Sequence, residues 1–185
     1  MENNESSILT QSLIYGLYFG LVMVALSLVM WMFNIMPTRF SINIILFIVN
    51  VVIYFGLLFW FTRMYRDESL GGYISYGKAF LFALLVAFFG SVVSAVYNYV
   101  FNAFIDPGYM ERIMQVTMES TENFMRERGL SQDQIDMAMA RFENQEIPGP
   151  GKTALQSVLG GVIYGLIVSL ITSAFAKKQE EVVVY

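Results

Sequence analysis

Charged residues in this chain are confined to blocks, and four long stretches between the blocks contain none. No Asp, Glu, Lys or Arg lies between Glu5 and Arg39, between Arg39 and Arg63, between Lys78 and Asp106, or between Lys152 and Lys177. Each gap holds at least 22 residues, and a hydrocarbon core about 30 Å thick is crossed by roughly 20 helical residues. The gaps predict transmembrane helices near 12–33, 41–62, 79–105 and 153–176. Helices buried in a soluble core would each carry a polar stripe, and none of these does. The expected fold is all-α, a four-helix transmembrane bundle forming a single membrane domain over 1–185, interrupted by an extramembrane helical hairpin over 106–152.

Composition agrees with a membrane chain. Of 185 residues 56% are apolar and 14% charged, against about 25% charged in an ordinary soluble domain. A net charge of −4 offers no basic surface to a nucleic acid. With neither cysteine nor histidine, the chain lacks the thiol nucleophile and the side chain that most often serves as general base and transition-metal ligand. No metal or cofactor is expected, and the chain is expected not to be an enzyme. The leader to the first span carries Glu2 and Glu5 with no basic residue, and its apolar run is too long for a signal-peptide core. That span is expected to stay as the first helix.

Four crossings place both termini and the Arg63–Lys78 loop on one side. That side carries Arg63, Arg66, Lys78, Lys177 and Lys178; Arg39, Arg112, Arg141 and Lys152 are the span-proximal basic residues opposite. Short loops rich in Lys and Arg stay in the cytoplasm, so the termini are expected inside and the hairpin outside, by a margin of one residue.

A structureless stretch over 106–152 would be unusual in a compact protein. Asp106-Pro107 reads as a helix start. Met110, Ile113, Met114, Met118, Phe124 and Met125 follow at helical spacing, and Gly129 suits a left-handed C-cap. Ser131 and Gln134 read as a capping box, with Ile135, Ala138, Met139 and Phe142 forming the second apolar face. The Ile147-Pro148-Gly149-Pro150-Gly151 stretch returns the chain to the membrane. The methionines suit either packing between the hairpin helices, or against the bilayer surface, or a plastic binding groove. Nine acidic residues here serve as a solvated face or as an interaction surface.

Several motifs imply less than they first suggest. Gly151-Lys152-Thr153 resembles the end of a phosphate-binding loop, but Glu146 stands where the first glycine belongs and no strand precedes it. Nucleotide binding is not expected, and Lys152 reads as an interfacial anchor. The spans hold no ionisable group of the kind that marks proton or ion pathways. Their polar residues include Asn50, Asn98 and Asn102, which either line a small polar cavity or hydrogen-bond between helices. Arg63 to Lys78, with its arginines and tyrosines, suits an interfacial anchor and turn.

Small residues recur at every fourth position. Ser157, Gly161, Gly165, Ser169 and Ser173 form one row, Ser12, Gly16 and Gly20 another, and Ala83, Ala87, Ser91 and Ala95 a third. In lipid, helices associate by close packing that small residues permit. Gly16, Gly20, Gly161, Gly165 and Ser169 are therefore expected at helix–helix contacts, within the bundle rather than between subunits.

The segment Tyr65–Phe80, with Arg66-Asp67-Glu68, Gly71-Gly72-Tyr73-Ile74 and Gly77-Lys78-Ala79-Phe80, together with Tyr97–Pro107 and Glu127-Arg128-Gly129-Leu130-Ser131, resembles the bacterial membrane family catalogued as domain of unknown function 4199. The resemblance covers nearly the whole chain. It implies a protein of the bacterial inner membrane with four helices and an inserted helical hairpin, and it brings no catalytic residues.

Two functions are consistent with these features. One is a non-enzymatic scaffold or partner of a membrane complex, meeting other membrane proteins or a second copy of itself, with the hairpin as recognition surface. The other is a small carrier or lipid-binding protein with a polar cavity at Asn50, Asn98 and Asn102.

Overall fold

A computed structural model of the chain describes residues 2–36, 38–143 and 146–179. The helices are α1 (Glu2–Met32), α2 (Phe40–Ser69), α3 (Tyr76–Val100, continued by a π-helical turn over Phe101–Ile105), α4 (Tyr109–Glu127), α5 (Gln132–Glu143) and α6 (Pro150–Ala176). Four of them, α1, α2, α3 with its π-turn, and α6, are long and apolar enough to cross a membrane. The shortest apolar stretch has 25 residues and rises about 37 Å, more than the hydrocarbon thickness. The molecule is a multi-pass membrane protein, an all-α four-span bundle. Its exterior carries large exposed side chains such as Met32, Phe104 and Phe175, a surface that suits lipid rather than water.

The helices overrun the charge-free gaps. α2 continues to Ser69 through Arg63, Arg66, Asp67 and Glu68, because charge marks where hydrocarbon ends, not where the backbone must stop bonding to itself. It stops at Gly71 and Gly72, whose φ values of +68° and +92° belong to the left-handed region that glycine adopts without penalty.

α3 is the central helix, packed between α1 and α6, with α2 leaning mainly on α6 and α3. The small residues explain why. Ala79, Ala83, Ala87, Gly90, Ser91 and Ala95 of α3 are all buried, so neighbouring backbones come close on both sides. Larger side chains fill the half nearer the termini: Phe19, Leu58, Tyr65, Phe82 and Val86 are at most 2% exposed. Tyr65 stacks on Phe82 with ring centroids 4.1 Å apart.

The terminal face is latched by polar contacts. Ile74 and Lys178 exchange two backbone hydrogen bonds as an isolated antiparallel bridge. Tyr76 donates to the Leu170 carbonyl, and the Tyr15 hydroxyl to Glu68. The Ser75 hydroxyl caps α3 by accepting from the Lys78 amide.

At the opposite face the start of the hairpin departs from expectation. α4 begins at Tyr109, with Gly108 as its N-cap residue and no side-chain cap. The Asp106 carboxylate instead accepts hydrogen bonds from Arg112 and from the Trp31 indole, the latter at 3.0 Å. It ties the end of α1 to the base of the hairpin. Gly129, at φ +74°, turns the chain between α4 and α5. Gln134 accepts from the Ser131 amide at 3.1 Å, which is the reciprocal half of a capping box. The Ser131 hydroxyl also donates to Gln134 rather than accepting from the Gln134 amide, which bonds the Ser131 carbonyl.

Candidate functional site

Gly16 and Gly20 sit where α1 crosses α3. A Cβ at Gly16 would lie 2.5 Å from that of Phe89, and one at Gly20 the same distance from that of Val93. On the other side of α3, a Cβ at Gly161 would lie 2.5 Å from the Ser91 Cβ, and one at Gly165 2.6 Å from the Ala87 Cβ. Real Cβ atoms do not approach so closely, so each position admits only hydrogen. Ser169 is fully buried, and its hydroxyl has no partner among the described residues. The buried Thr172 hydroxyl likewise has none among the described residues, whereas three others bond along their own helix: Ser12 donates to Ile8, Thr62 to Leu58 and Ser173 to Ser169, each to a main-chain carbonyl. That habit lets hydroxyl-bearing residues pack in lipid without exposing a donor.

A cavity of about 270 Å³ opens between α1, α2, α3 and the first turn of α4. Asn50 and Asn98 both line it, with Ser27, Ser94, Tyr97 and Tyr109. Asn102 does not. The π-turn that contains it adds a residue to the helical turn and shifts its register. Its amide donates to the Asn98 carbonyl at 2.8 Å, and its own carbonyl oxygen is buried without a partner among the described residues. The Asn98 amide reaches α6, donating to the Ser157 hydroxyl at 3.0 Å, and Ser157 donates in turn to Thr153. Asn98 thus joins two helices and lines the cavity. Ser27 and Ser94 were not among the sequence-derived candidates, although each is a polar residue inside an apolar run. The lining holds no carboxylate, ammonium or guanidinium; it offers amide and hydroxyl hydrogen bonds only.

The hairpin carries a second concavity. Met125, Leu130, Met137, Ala138 and Phe142 line an open groove of about 570 Å³ between α4 and α5, and Met137 is 65% exposed. A smaller hollow of about 210 Å³, lined by Met110, Ile113, Met114 and again Phe142, continues it towards the membrane. The two apolar faces therefore meet only partly: Ile135 is buried, Met137 is exposed, and the other hairpin methionines are half-buried. α5 packs chiefly on α4, so the hairpin projects from the bundle as an arm.

The family described as a protein of unknown function (DUF4199) matches residues 14–178, from the first span to the end of the fourth, and the chain belongs to that family. No curated protein and no solved structure matches it.

Proposed function

We propose that this protein is a non-enzymatic partner or scaffold in a membrane complex of the bacterial inner membrane, and that its hairpin groove is the recognition surface. The groove carries the reading. A methionine-rich concavity on a projecting arm takes up the apolar face of another protein's helix, as flexible thioethers adapt to different shapes. The absence of histidine and cysteine also favours binding over chemistry. The excess of span-proximal basic residues on the terminal side supports cytoplasmic termini and an extracytoplasmic hairpin.

A photo-crosslinking residue at Met137 is expected to trap a discrete membrane-protein adduct in intact cells, and Phe142→Asp to abolish it. Persistence of the adduct in Phe142→Asp, or its absence from the parent, overturns the groove as recognition surface. Because the chain has no cysteine, single cysteines at Glu122 and Lys178 report sidedness cleanly. An impermeant thiol reagent is expected to label position 122 and not 178.

A second reading, a small carrier or lipid-binding protein, draws support from the cavity at Asn50 and Asn98. Asn50→Leu removes the amide from that cavity at nearly unchanged side-chain shape. Under this reading the substitution abolishes ligand uptake, and under the first it leaves the Met137 adduct unchanged.

A further inference from the structure

A cavity larger than those described above lies neither within the bundle nor in the hairpin groove. It opens at the membrane boundary, between the start of α2 and another face of α4, with a volume of about 790 Å³. It exists because α2 diverges from the bundle. The buried residues of α2 begin only at Tyr54, and its preceding part touches the rest of the protein where Phe40 stacks on Phe124, ring centroids 4.0 Å apart.

The lining is polar and cationic at one end and apolar at the other. Arg39, Arg126 and Arg128 contribute three guanidinium groups, opposed by the single carboxylate of Glu127. Arg126 is paired with Glu122 at 2.6 Å, with both side chains open to solvent. Such a pair is weak enough to exchange for a stronger anion. The Arg128 guanidinium lies 5.1 Å from the Phe124 ring centroid. α2 starts in this cavity, and its N-cap residue, Arg39, makes no side-chain cap, so the amides of the first turn are open to an anion.

Ser120, 6% exposed, also lines the cavity, where its hydroxyl is a further potential donor to an anion. From the apolar end, Ile44 leads onto Ile48 and Val52, which recur at helical spacing and are 46%, 53% and 62% exposed. They form a continuous apolar track along α2 into the hydrocarbon.

We propose that this cavity binds the phosphate-bearing headgroup of an anionic phospholipid, with its acyl chains along the Ile44–Ile48–Val52 stripe. Three guanidinium groups and a helix N-terminus suit a phosphate diester, and the excess of positive over negative lining charge disfavours a zwitterionic headgroup. The depth of the site, at the charged residue that begins a span, is the headgroup depth. The bound lipid would brace the divergent end of α2 against α4, holding the hairpin at a set angle to the membrane.

The test uses the full chain, purified and delipidated in a neutral detergent, and counts bound lipid by native mass spectrometry. Phosphatidylglycerol is expected to bind with a stoichiometry of one and about tenfold more tightly than phosphatidylcholine. The double substitution Arg39→Gln, Arg128→Gln is expected to remove that preference, whereas Lys152→Gln with Lys177→Gln retains it. Asn123→Trp fills the cavity without changing charge and is expected to block the lipid; it decides the matter if the arginine variant does not fold. Equal binding of the two lipids overturns the proposal, as does phosphatidylglycerol binding that survives Asn123→Trp or falls equally with the distant lysines. Displacement of the lipid by millimolar inorganic phosphate would assign the site to a soluble anion and overturn it as a lipid site. The Met137 adduct is read from α5, in a groove apart from this cavity, so the two proposals fail separately.

Discussion

The Arg66 guanidinium, near the end of α2, donates a 3.0 Å hydrogen bond to the main-chain carbonyl of Ala176, the last residue of α6. The same group holds Asp67 through two further bonds, at 2.7 and 3.1 Å, which fixes the plane of the fork. One side chain thus supplies a partner to a carbonyl that helix geometry leaves unpaired, and sets a positive charge at the negative end of α6. The Ile74–Lys178 bridge begins two residues beyond Ala176, so the contact also positions the strand-like closure of the terminal face.

Arg66→Leu is accordingly expected to destabilise the protein by about 1.5–3 kcal/mol, the range for hydrogen bonds to charged groups. Exchange of the Lys177 and Lys178 amides should quicken. Arg66→Lys should recover only part of the loss, since an ammonium cannot reproduce the planar fork. Amide exchange in Arg66→Leu that matches the parent would mean the contact does not hold the C-terminus of α6.

Gly160 and Gly161 provide an internal comparison in one helix. A Cβ at Gly160 would meet nothing within 4 Å, whereas one at Gly161 would collide with Ser91. Gly160→Ala is expected to be neutral or to stabilise by up to about 1 kcal/mol, because alanine is the better helix former. Gly161→Ala carries the same propensity gain but overpacks the contact with α3, at a cost of typically 1–3 kcal/mol. The readout is the midpoint of thermal unfolding in detergent. Equal midpoints for the two variants would place Gly161 away from a helix contact.

The spans and the small-residue rows were legible for a local reason: hydrocarbon excludes charge, and close packing selects side chains by size. Which rows meet was not legible. Ser91 faces Gly161 while Gly90, beside it, faces α1, a pairing between residues far apart in sequence. Asn50 and Asn98 stood out as polar residues in apolar runs, yet periodicity gave no sign of the π-turn that moves Asn102 off the cavity wall. The divergence of α2, which creates the arginine-lined cavity, leaves no trace in an unbroken apolar run.

The hairpin turn illustrates a motif read in outline only. Ser131 and Gln134 have capping-box spacing, but the bond that forms is from the Ser131 amide to the Gln134 side chain. Gln134→Ala is therefore expected to quicken amide exchange at Ser131, and Ser131→Ala to have the smaller effect on the first turn of α5. The reverse order would restore the full capping box.

Asp106, between α3 and α4, bonds both to nearby Arg112 and to Trp31 on the sequence-distant α1, and its protonation can be followed optically. The Arg112 hydrogen bond, and after it that of Trp31, hold its carboxyl below the usual carboxylate range. A group whose native pKa is depressed contributes stability that is fully present above its unfolded pKa, about 4, and that is lost as pH falls through the native value. The tie should therefore be insensitive to pH from neutrality down to about 4 and should loosen below that. The chain has two tryptophans, and Trp60 is exposed, so Trp60→Phe leaves Trp31 as sole reporter without disturbing the core. In that background Trp31 emission is expected to change reversibly on acidification below the usual carboxylate pKa, and Asp106→Asn to abolish the change. Arg112→Gln removes the larger cause of the depression and should move the transition to higher pH. A transition that survives Asp106→Asn would belong to another carboxylate, and one that fails to move in Arg112→Gln would show that the guanidinium does not set the acidity of Asp106.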